Sequence, residues 1–142
     1  MLLLMAHLYS YKDKQLQQFI KNSLLIQTEL QKYGISYNQT EILNMDSFIT
    51  DMFYKYDFVD YDIFQTMSAL TTRSPHTHND DEGRMIVKGS GRFYFQFNNI
   101  KIELHMDAGD FVIIPAGTIH YFNAIEPIMA IRFFTTKEQN DR

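Results

Sequence analysis

Two short stretches of the sequence carry side chains that could bind a metal ion. Residues 76–82 read HTHNDDE and residues 109–120 read GDFVIIPAGTIH. Three neutral imidazoles and one carboxylate form a mixed nitrogen and oxygen ligand set, which suits Fe(II), Ni(II), Mn(II), Cu(II) or Zn(II) better than Ca(II) or Mg(II). On an octahedral ion this set leaves positions open for a bidentate substrate, or for substrate and dioxygen. The candidate ligands are His76, His78, Glu82 and His120.

Local geometry directs these side chains toward one point. In an extended strand, side chains two residues apart point to the same side, so His76 and His78 agree in direction. The loop of residues 79–81 can then return Glu82 to that side. His120 comes from a strand that is distant in the sequence. The Pro-Ala-Gly turn before this strand would fix its position. The spacing therefore predicts one metal centre built from both stretches.

Arg84 follows Glu82 by two residues, so on a strand it would face the same way, beside the metal. A buried guanidinium needs a partner. It could bind an anionic oxygen of a substrate and stabilise developing negative charge, or it could form a structural salt bridge across the barrel. Its closeness to the metal favours the first interpretation. Phe122 shares the side of His120 along its strand and is the best aromatic candidate for lining a pocket.

Other polar residues in the sequence are interpreted as having no role at the metal. A lone histidine on a strand is more often structural than a ligand, and this interpretation applies to His7 and His105. The acidic pair Asp80-Asp81 is expected to be a solvated loop.

The elements that must position these residues fall into two halves. Apolar residues recur at three- and four-residue spacing from Ser10 to about Tyr33, which predicts a helix that Ser10 caps and Gly34 ends. A second helix is expected from Asp46 to about Tyr56, capped by Asp46 or Ser47.

Short strands punctuated by turn residues dominate the chain from residue 60 onward. Phe93, Phe95 and Phe97 alternate with polar residues, and the same period of two returns over residues 100–106. Many short strands at regular spacing are typical of a β-sandwich or barrel. We therefore predict a mainly β single domain over residues 1–142. Residues 60–136 would form an antiparallel barrel, and a helical part, residues 1–59, would pack on it.

The composition excludes several functional classes. The chain has 142 residues, is 45% hydrophobic and 21% charged, and carries a net charge of -4, which argues against general attraction to nucleic acid or to an anionic membrane. The absence of cysteine excludes disulfides, thiolate metal sites and cysteine nucleophiles. The apolar residues 1–5 are too few for a signal peptide or a membrane span, so a cytoplasmic location is expected by default.

The two metal-binding stretches match the motifs H-x-H-x3-E-x6-G and G-x5-P-x-G-x2-H of the cupin superfamily. Within it the chain resembles the acireductone dioxygenase family, and the similarity includes residues 80–84, 89–93 and 131–134. The resemblance implies the cupin fold, a double-stranded β-helix or jelly-roll barrel. It also implies Arg84 as a substrate contact and, as metal ligands, His76, His78, Glu82 and His120.

The resemblance further implies a reaction. The family cleaves an acireductone, an enediol flanked by a ketone and bearing a methylthio chain, with dioxygen in methionine salvage. With Fe(II) its products are a 2-keto acid and formate; with Ni(II) they are a shorter carboxylate, formate and carbon monoxide. We expect one divalent ion per chain, with Fe(II) favoured over Ni(II), and Glu82 and Arg84 as the catalytic residues.

Three departures from the family pattern raise alternatives. Pro75 stands where the family usually places Glu, Gly83 could loosen its strand, and the chain ends soon after Phe134 without the family's Trp-containing segment. A more open pocket and a different substrate are therefore expected as alternatives. The protein could be a cupin oxygenase or isomerase for another small enediol or diketone, or a non-catalytic cupin that binds a ligand through the metal. Small cupins often pair through strand edges, which allows a homodimer, but no residue pattern requires one.

Overall fold

The computed structural model describes residues 6–41, 43–71 and 74–137. These ranges contain eleven strands and two helices. In chain order they are β1 (His7–Lys12), β2 (Gln15–Ile20), α1 (Ser23–Gln31), β3 (Ser36–Gln39), α2 (Met45–Lys55), β4 (Asp60–Gln65), β5 (Leu70–Thr71), β6 (Glu82–Lys88), β7 (Ser90–Phe97), β8 (Ile100–Asp107), β9 (Asp110–Ile114), β10 (Ile119–Ala124) and β11 (Met129–Phe134).

The strands form two antiparallel sheets. One has six strands in the order β2-β1-β8-β7-β10-β5, and the other has five in the order β3-β9-β6-β11-β4. Alternate residues of both sheets point into a shared apolar core; Leu8, Phe95 and Leu104 come from the first sheet, and Ile86 and Val112 from the second. The mainly β architecture predicted from the period-two alternation is confirmed.

Helix α2 covers the outer face of the five-stranded sheet. Its buried residues Ile49 and Met52 belong to one cluster with Met85, Phe111 and Phe133. The predicted second helix is therefore confirmed. Its N-cap differs from the expectation, because the side chain of Asn44 accepts the hydrogen bond from the amide of residue 47.

The predicted helix from Ser10 to Tyr33 is wrong over its first half. Residues 7–20 form the hairpin of β1 and β2, and Ser10 is buried inside β1 rather than capping a helix. Only α1 is helical, and the side chain of Asn22 caps it by accepting from the amides of residues 24 and 25. Gly34 follows the helix with φ of 77°, as a residue that ends a helix often does. The described part of residues 1–59 thus supplies three strands, β1, β2 and β3, to the two sheets.

Strand β6 links the core to the predicted metal site. It pairs with β9 on one side and with β11 on the other. Gly83 does not loosen it, because the space above this glycine is filled: a Cβ there would lie 2.7 Å from the Phe58 ring and 3.0 Å from the Cβ of Phe133. In the described part of the chain, no helix is long and apolar enough to cross a membrane.

Candidate metal centre

Backbone hydrogen bonds join the two stretches that carry the candidate ligands. His76 and His120 form an isolated antiparallel bridge, in which each amide donates to the other carbonyl at 3.0 Å. Glu82 is the first residue of β6, and His120 is the second residue of β10. The two sheets therefore present their ligands to each other across the opening of the barrel.

The predicted ligands converge. The candidate ligand atoms of His76, His78 and His120 all lie within 4.8 Å of one another. The Glu82 carboxylate lies beside them, with Oε1 2.7 Å from Nε2 of His78 and Oε2 3.5 Å from Nε2 of His120. His78, Glu82 and His120 are buried, whereas His76 is half-buried at the rim.

Backbone carbonyls orient two of the imidazoles. Nδ1 of His120 lies 2.8 Å from the carbonyl oxygen of Thr118, and Nδ1 of His76 lies 3.1 Å from that of Ser74. An Nδ1–H that donates to a carbonyl leaves Nε2 with a free lone pair for a metal. Ser74 thus gives His76 a partner although Pro75 replaces the family's glutamate.

The Glu82 carboxylate is kept ionised. Burial would raise its pKa, but the hydrogen bond with His120 and the positive charge of Arg84 outweigh burial, so the pKa of Glu82 lies below its ordinary value. Its buried Oε1 lies 2.7 Å from Nε2 of His78, and it accepts no hydrogen bond from this nitrogen when the nitrogen is unprotonated, as a metal ligand must be. A buried carboxylate oxygen without a donor is costly. A cation held between this oxygen and the imidazoles would remove that cost, so the residues fit a metal ion.

Arg84 combines features of both interpretations of its role. Its Nη2 lies 3.0 Å from Oε2 of Glu82, and its Nη1 donates to the Gly83 carbonyl at 2.8 Å. The guanidinium carbon lies 5.4 Å from the centre of the Phe134 ring. The salt bridge therefore exists, but its partner is the candidate metal ligand itself, and Arg84 also borders the pocket beside the histidines.

A cavity of about 180 Å³ opens beside the four candidate ligands. Phe122 lines it, and its ring centre lies 4.8 Å from that of Phe93. Gly91 makes room for Phe122, because a Cβ at this glycine would overlap the ring. Apart from the candidate ligands and two arginines, the lining is apolar; it consists of Phe64, Ile86, Phe93, Phe122, Ile128 and Ala130.

Sequence reasoning missed a second arginine at this pocket. Arg132 lines the cavity and pairs with Arg84 in the register of β11 and β6. Its Nε donates to Oδ1 of Asp62 at 2.7 Å, and its Nη2 donates to Oδ2 of Asp62 at 2.5 Å. A single charged residue inside the otherwise apolar run of residues 130–134 was the signal that could have identified it.

The histidines expected to have no role at the metal lie elsewhere. His7 and His105 face each other in the pairing of β1 and β8, on the six-stranded sheet. His105 is partly buried, and burial together with the charge of Arg92 lowers its pKa. Asp81 is exposed in a loop, as expected, but its carboxylate also accepts a hydrogen bond from the amide of Ala116 at 2.8 Å.

Comparison with known proteins identifies the family. A model of the ARD/ARD' family matches residues 12–141. The chain belongs to the ARD/ARD' family. The resemblance to acireductone dioxygenases is thereby confirmed.

Two curated relatives and one solved structure describe the similarity. Acireductone dioxygenase 1 of Pectobacterium atrosepticum is 42% identical over 65 residues, 44% of this chain and 38% of that protein. Acireductone dioxygenase of Aquifex aeolicus is 37% identical over 98 residues, 59% of this chain and 51% of that protein. The chain thus spans about half or less of the length of these relatives.

The structure of acireductone dioxygenase from Bacillus anthracis, which has a cadmium ion in its active centre, superimposes with a TM-score of 0.78 at 21% identity. The superposition covers 94% of this chain and 95% of the other. The predicted cupin fold is therefore confirmed over nearly the whole chain.

Proposed function

We propose that this chain is a metal-dependent dioxygenase that cleaves an acireductone, 1,2-dihydroxy-3-keto-5-methylthiopentene, or a close enediol analogue with dioxygen, as in methionine salvage. The main observation behind this proposal is that three histidines and Glu82 converge on the wall of a small apolar cavity. Arg84 also borders this cavity. Membership of the ARD/ARD' family supports the same reaction class.

The metal is proposed to be one divalent ion per chain, Fe(II) rather than Ni(II). Its ligands would be Nε2 of the three imidazoles and the carboxylate of the glutamate: His76, His78, His120 and Glu82. When bound, such an ion supplies Lewis acidity and a template for the enediolate and dioxygen. The mixed nitrogen and oxygen donors suit either metal, so the ligand types are compatible with both ions.

The chain's own residues would bind and orient the substrate. The Arg84 guanidinium already touches Glu82 and borders the cavity, so it can hold the ligand carboxylate and bind an enediolate oxygen at once. The apolar wall around Phe122 would receive the methylthio chain and exclude water from the reacting carbons. Glu82 and Arg84 are thus the proposed catalytic residues, and Phe122 is a proposed substrate contact.

The test uses apo protein reconstituted without oxygen with Fe(II) or Ni(II), then given a synthetic acireductone and air. Oxygen uptake above the spontaneous background should depend on the metal and should be lost in Glu82→Ala and Arg84→Ala. Glu103→Ala, which removes a partly exposed carboxylate of β8, is the matched control and should keep the wild-type rate. Tight metal binding without turnover would contradict the proposal and favour a non-catalytic cupin.

The products distinguish the finer alternatives. The Fe(II) form should give a 2-keto acid and formate, and the Ni(II) form a shorter carboxylate, formate and carbon monoxide. Turnover of other small enediols but not of the methylthio compound would favour an oxygenase of a different pathway. The apolar residues that line the cavity support the methylthio compound.

The proposed setting is a cytoplasmic enzyme whose partners are its small-molecule substrate and dioxygen, without nucleic acid or membrane. A homodimer is compatible with the open edges of the two sheets. Light scattering coupled to size exclusion would give the oligomeric state directly.

A further inference from the structure

The two ligand-bearing segments are tied together at several points beyond the ligands themselves. Besides the bridge between His76 and His120, the amide of Gly117 donates to the carbonyl of His78 at 2.9 Å. A third tie uses a side chain, the carboxylate of Asp81, which accepts a hydrogen bond from the amide of Ala116 at 2.8 Å. Of these ties, therefore, only the contact of Asp81 can be removed by replacing a side chain.

The position of Asp81 in the chain explains what this hydrogen bond does. Glu82 pairs with Ile114 in the ladder of β6 and β9, and beyond that pair the chain leaves the sheet. The amide of Ala116 has no strand beside it there, and the Asp81 side chain takes the place of the missing ladder acceptor. The carboxylate thus continues the β6–β9 pairing past the sheet, into the turn that leads to His120.

We propose that Asp81 is a positioning residue of the metal centre, which fixes the turn carrying His120 against the segment carrying the other ligands. This inference rests on the proposed function, since it concerns the metal that the dioxygenase reaction needs. Asp81 touches neither the cavity nor the ligand atoms, so it acts through the backbone of residues 115–117. A carboxylate acceptor makes a stronger hydrogen bond than a neutral one, which suits an exposed contact that must hold its geometry.

Removal of this contact should loosen the centre more than it loosens the fold. Without Asp81, the spacing of His120 from His76 and His78 would depend on backbone hydrogen bonds alone. Residues that orient the metal ligands without binding the metal themselves change metal affinity by about 10–100-fold when they are removed. Because the contact is exposed and acts indirectly, we expect the lower end of that range.

The experiment measures the affinity of the apo protein for Co(II) by anaerobic competition with a chromophoric chelator, and records the d–d absorption bands of the complex. Asp81→Ala should weaken binding about tenfold and change the bands. Asp81→Asn, whose side-chain oxygen can still accept from Ala116, should return binding to within about threefold of the wild type. Asp80→Ala is the matched control, because this neighbouring carboxylate has no hydrogen bond or ion pair among the described residues, and it should bind as the wild type does.

The outcomes distinguish the role of Asp81 from the proposed function of the chain. Wild-type protein that does not bind Co(II) would contradict the proposed metal-dependent function. Wild-type binding with an equal affinity in Asp81→Ala would overturn the role of Asp81 alone. An equal loss in Asp80→Ala and Asp81→Ala would also overturn it, since general electrostatic attraction would then suffice. The apo form of Asp81→Ala should melt within a few degrees of the wild type; its failure to fold would assign Asp81 to the fold instead.

Discussion

Individual residues of the candidate metal centre form a cluster of charged side chains, and the side chains around this cluster are tightly packed. Glu82 touches two imidazoles and one guanidinium while it is almost fully buried. The hydrogen bond with His120 and the positive charge of Arg84 explain why this carboxylate stays ionised although it is buried. The neighbouring Gly83 carries no side chain because Phe58 and Phe133 occupy that space.

Replacement of Arg84 by lysine tests how much the shape of the guanidinium contributes. A lysine keeps the charge, but its compact ammonium cannot reach Glu82, the Gly83 carbonyl and an enediolate oxygen with one planar group. We expect Arg84→Lys to lower kcat/KM by about 10²-fold while Co(II) affinity stays within a few fold. Steady-state oxygen uptake and metal titration would measure the two effects, and an unchanged kcat/KM would show that charge alone is needed.

Replacement of Gly83 by alanine tests the packing above β6. The new Cβ would lie 2.7 Å from the Phe58 ring, so the ring or the strand must shift. We expect the free energy of unfolding to fall by about 1–3 kcal/mol, as in other overpacked sites. Urea denaturation gives this value. In a Phe58→Leu background the same substitution should cost less, and an equal cost in both backgrounds would refute the contact.

At the scale of elements, the sequence pattern predicted the strands from β6 onward but not the first hairpin. The helix-like spacing of Leu16 and Phe19 arises from a bulge: these residues oppose Tyr11 and Tyr9, which lie on one face of β1, although they are three residues apart. The turn of this hairpin uses Asp13 and Lys14 with φ of 51° and 66°. Without glycine or asparagine there, the usual hairpin signal was absent.

The candidate ligands could be predicted because they depend on local spacing. The strand alternation places His76 and His78, and the motif after Gly109 places His120. The apolar run around Arg132 marks this residue as unusual, but its place beside Arg84 could not be predicted, nor could the contact of Asp81, since both depend on which strands and turns become neighbours. Pairing of β11 with β6 places Arg132 opposite Arg84, and no local pattern encodes that register.

A buried pair between β3 and β9 predicts a pH dependence of stability. The Tyr37 hydroxyl donates to Oδ1 of Asp110 at 2.7 Å, and the amide of Asp107 donates to Oδ2 at 2.7 Å. Burial outweighs these two hydrogen bonds and raises the pKa of Asp110 from 3.8 to about 6. Since the unfolded chain ionises first, this group's stabilising contribution is complete below about pH 4 and is lost as the pH rises through 6.

The size of this effect follows from the shift in the pKa of Asp110. About two pKa units correspond to roughly 3 kcal/mol of unfolding free energy. Urea unfolding between pH 4 and 7 should show the wild type losing about that much relative to Asp110→Asn, which cannot ionise. Tyr37→Phe removes one donor to the carboxylate, so the transition should move to higher pH. Parallel profiles of the wild type and Asp110→Asn would contradict the assignment.

In the molecule as a whole, the candidate metal centre lies where the two sheets meet. The candidate ligands come from β6, from β10 and from the segment before β6, so a bound ion would hold parts of both sheets together. A ligand that binds only the folded state stabilises it by mass action.

Metal binding should therefore raise the melting temperature. At a Co(II) concentration of about 100 Kd the gain is about 2.7 kcal/mol, or roughly 5–15 °C for a chain of this size. The increase should vanish in His78→Ala and persist in His105→Ala, a matched histidine of β8. Scanning calorimetry with and without Co(II) measures it, and an equal increase in both variants would mean that the ion binds elsewhere.

The position of the bound ion tests the proposed metal centre most directly. Crystals grown with Co(II) and measured on both sides of the cobalt absorption edge would locate the metal by its anomalous signal. We expect one peak per chain, at about 2.0–2.2 Å from the three imidazole Nε2 atoms and from a Glu82 oxygen. A peak that lacks Glu82 or any of His76, His78 and His120 as a ligand, or no peak at this site, would contradict it.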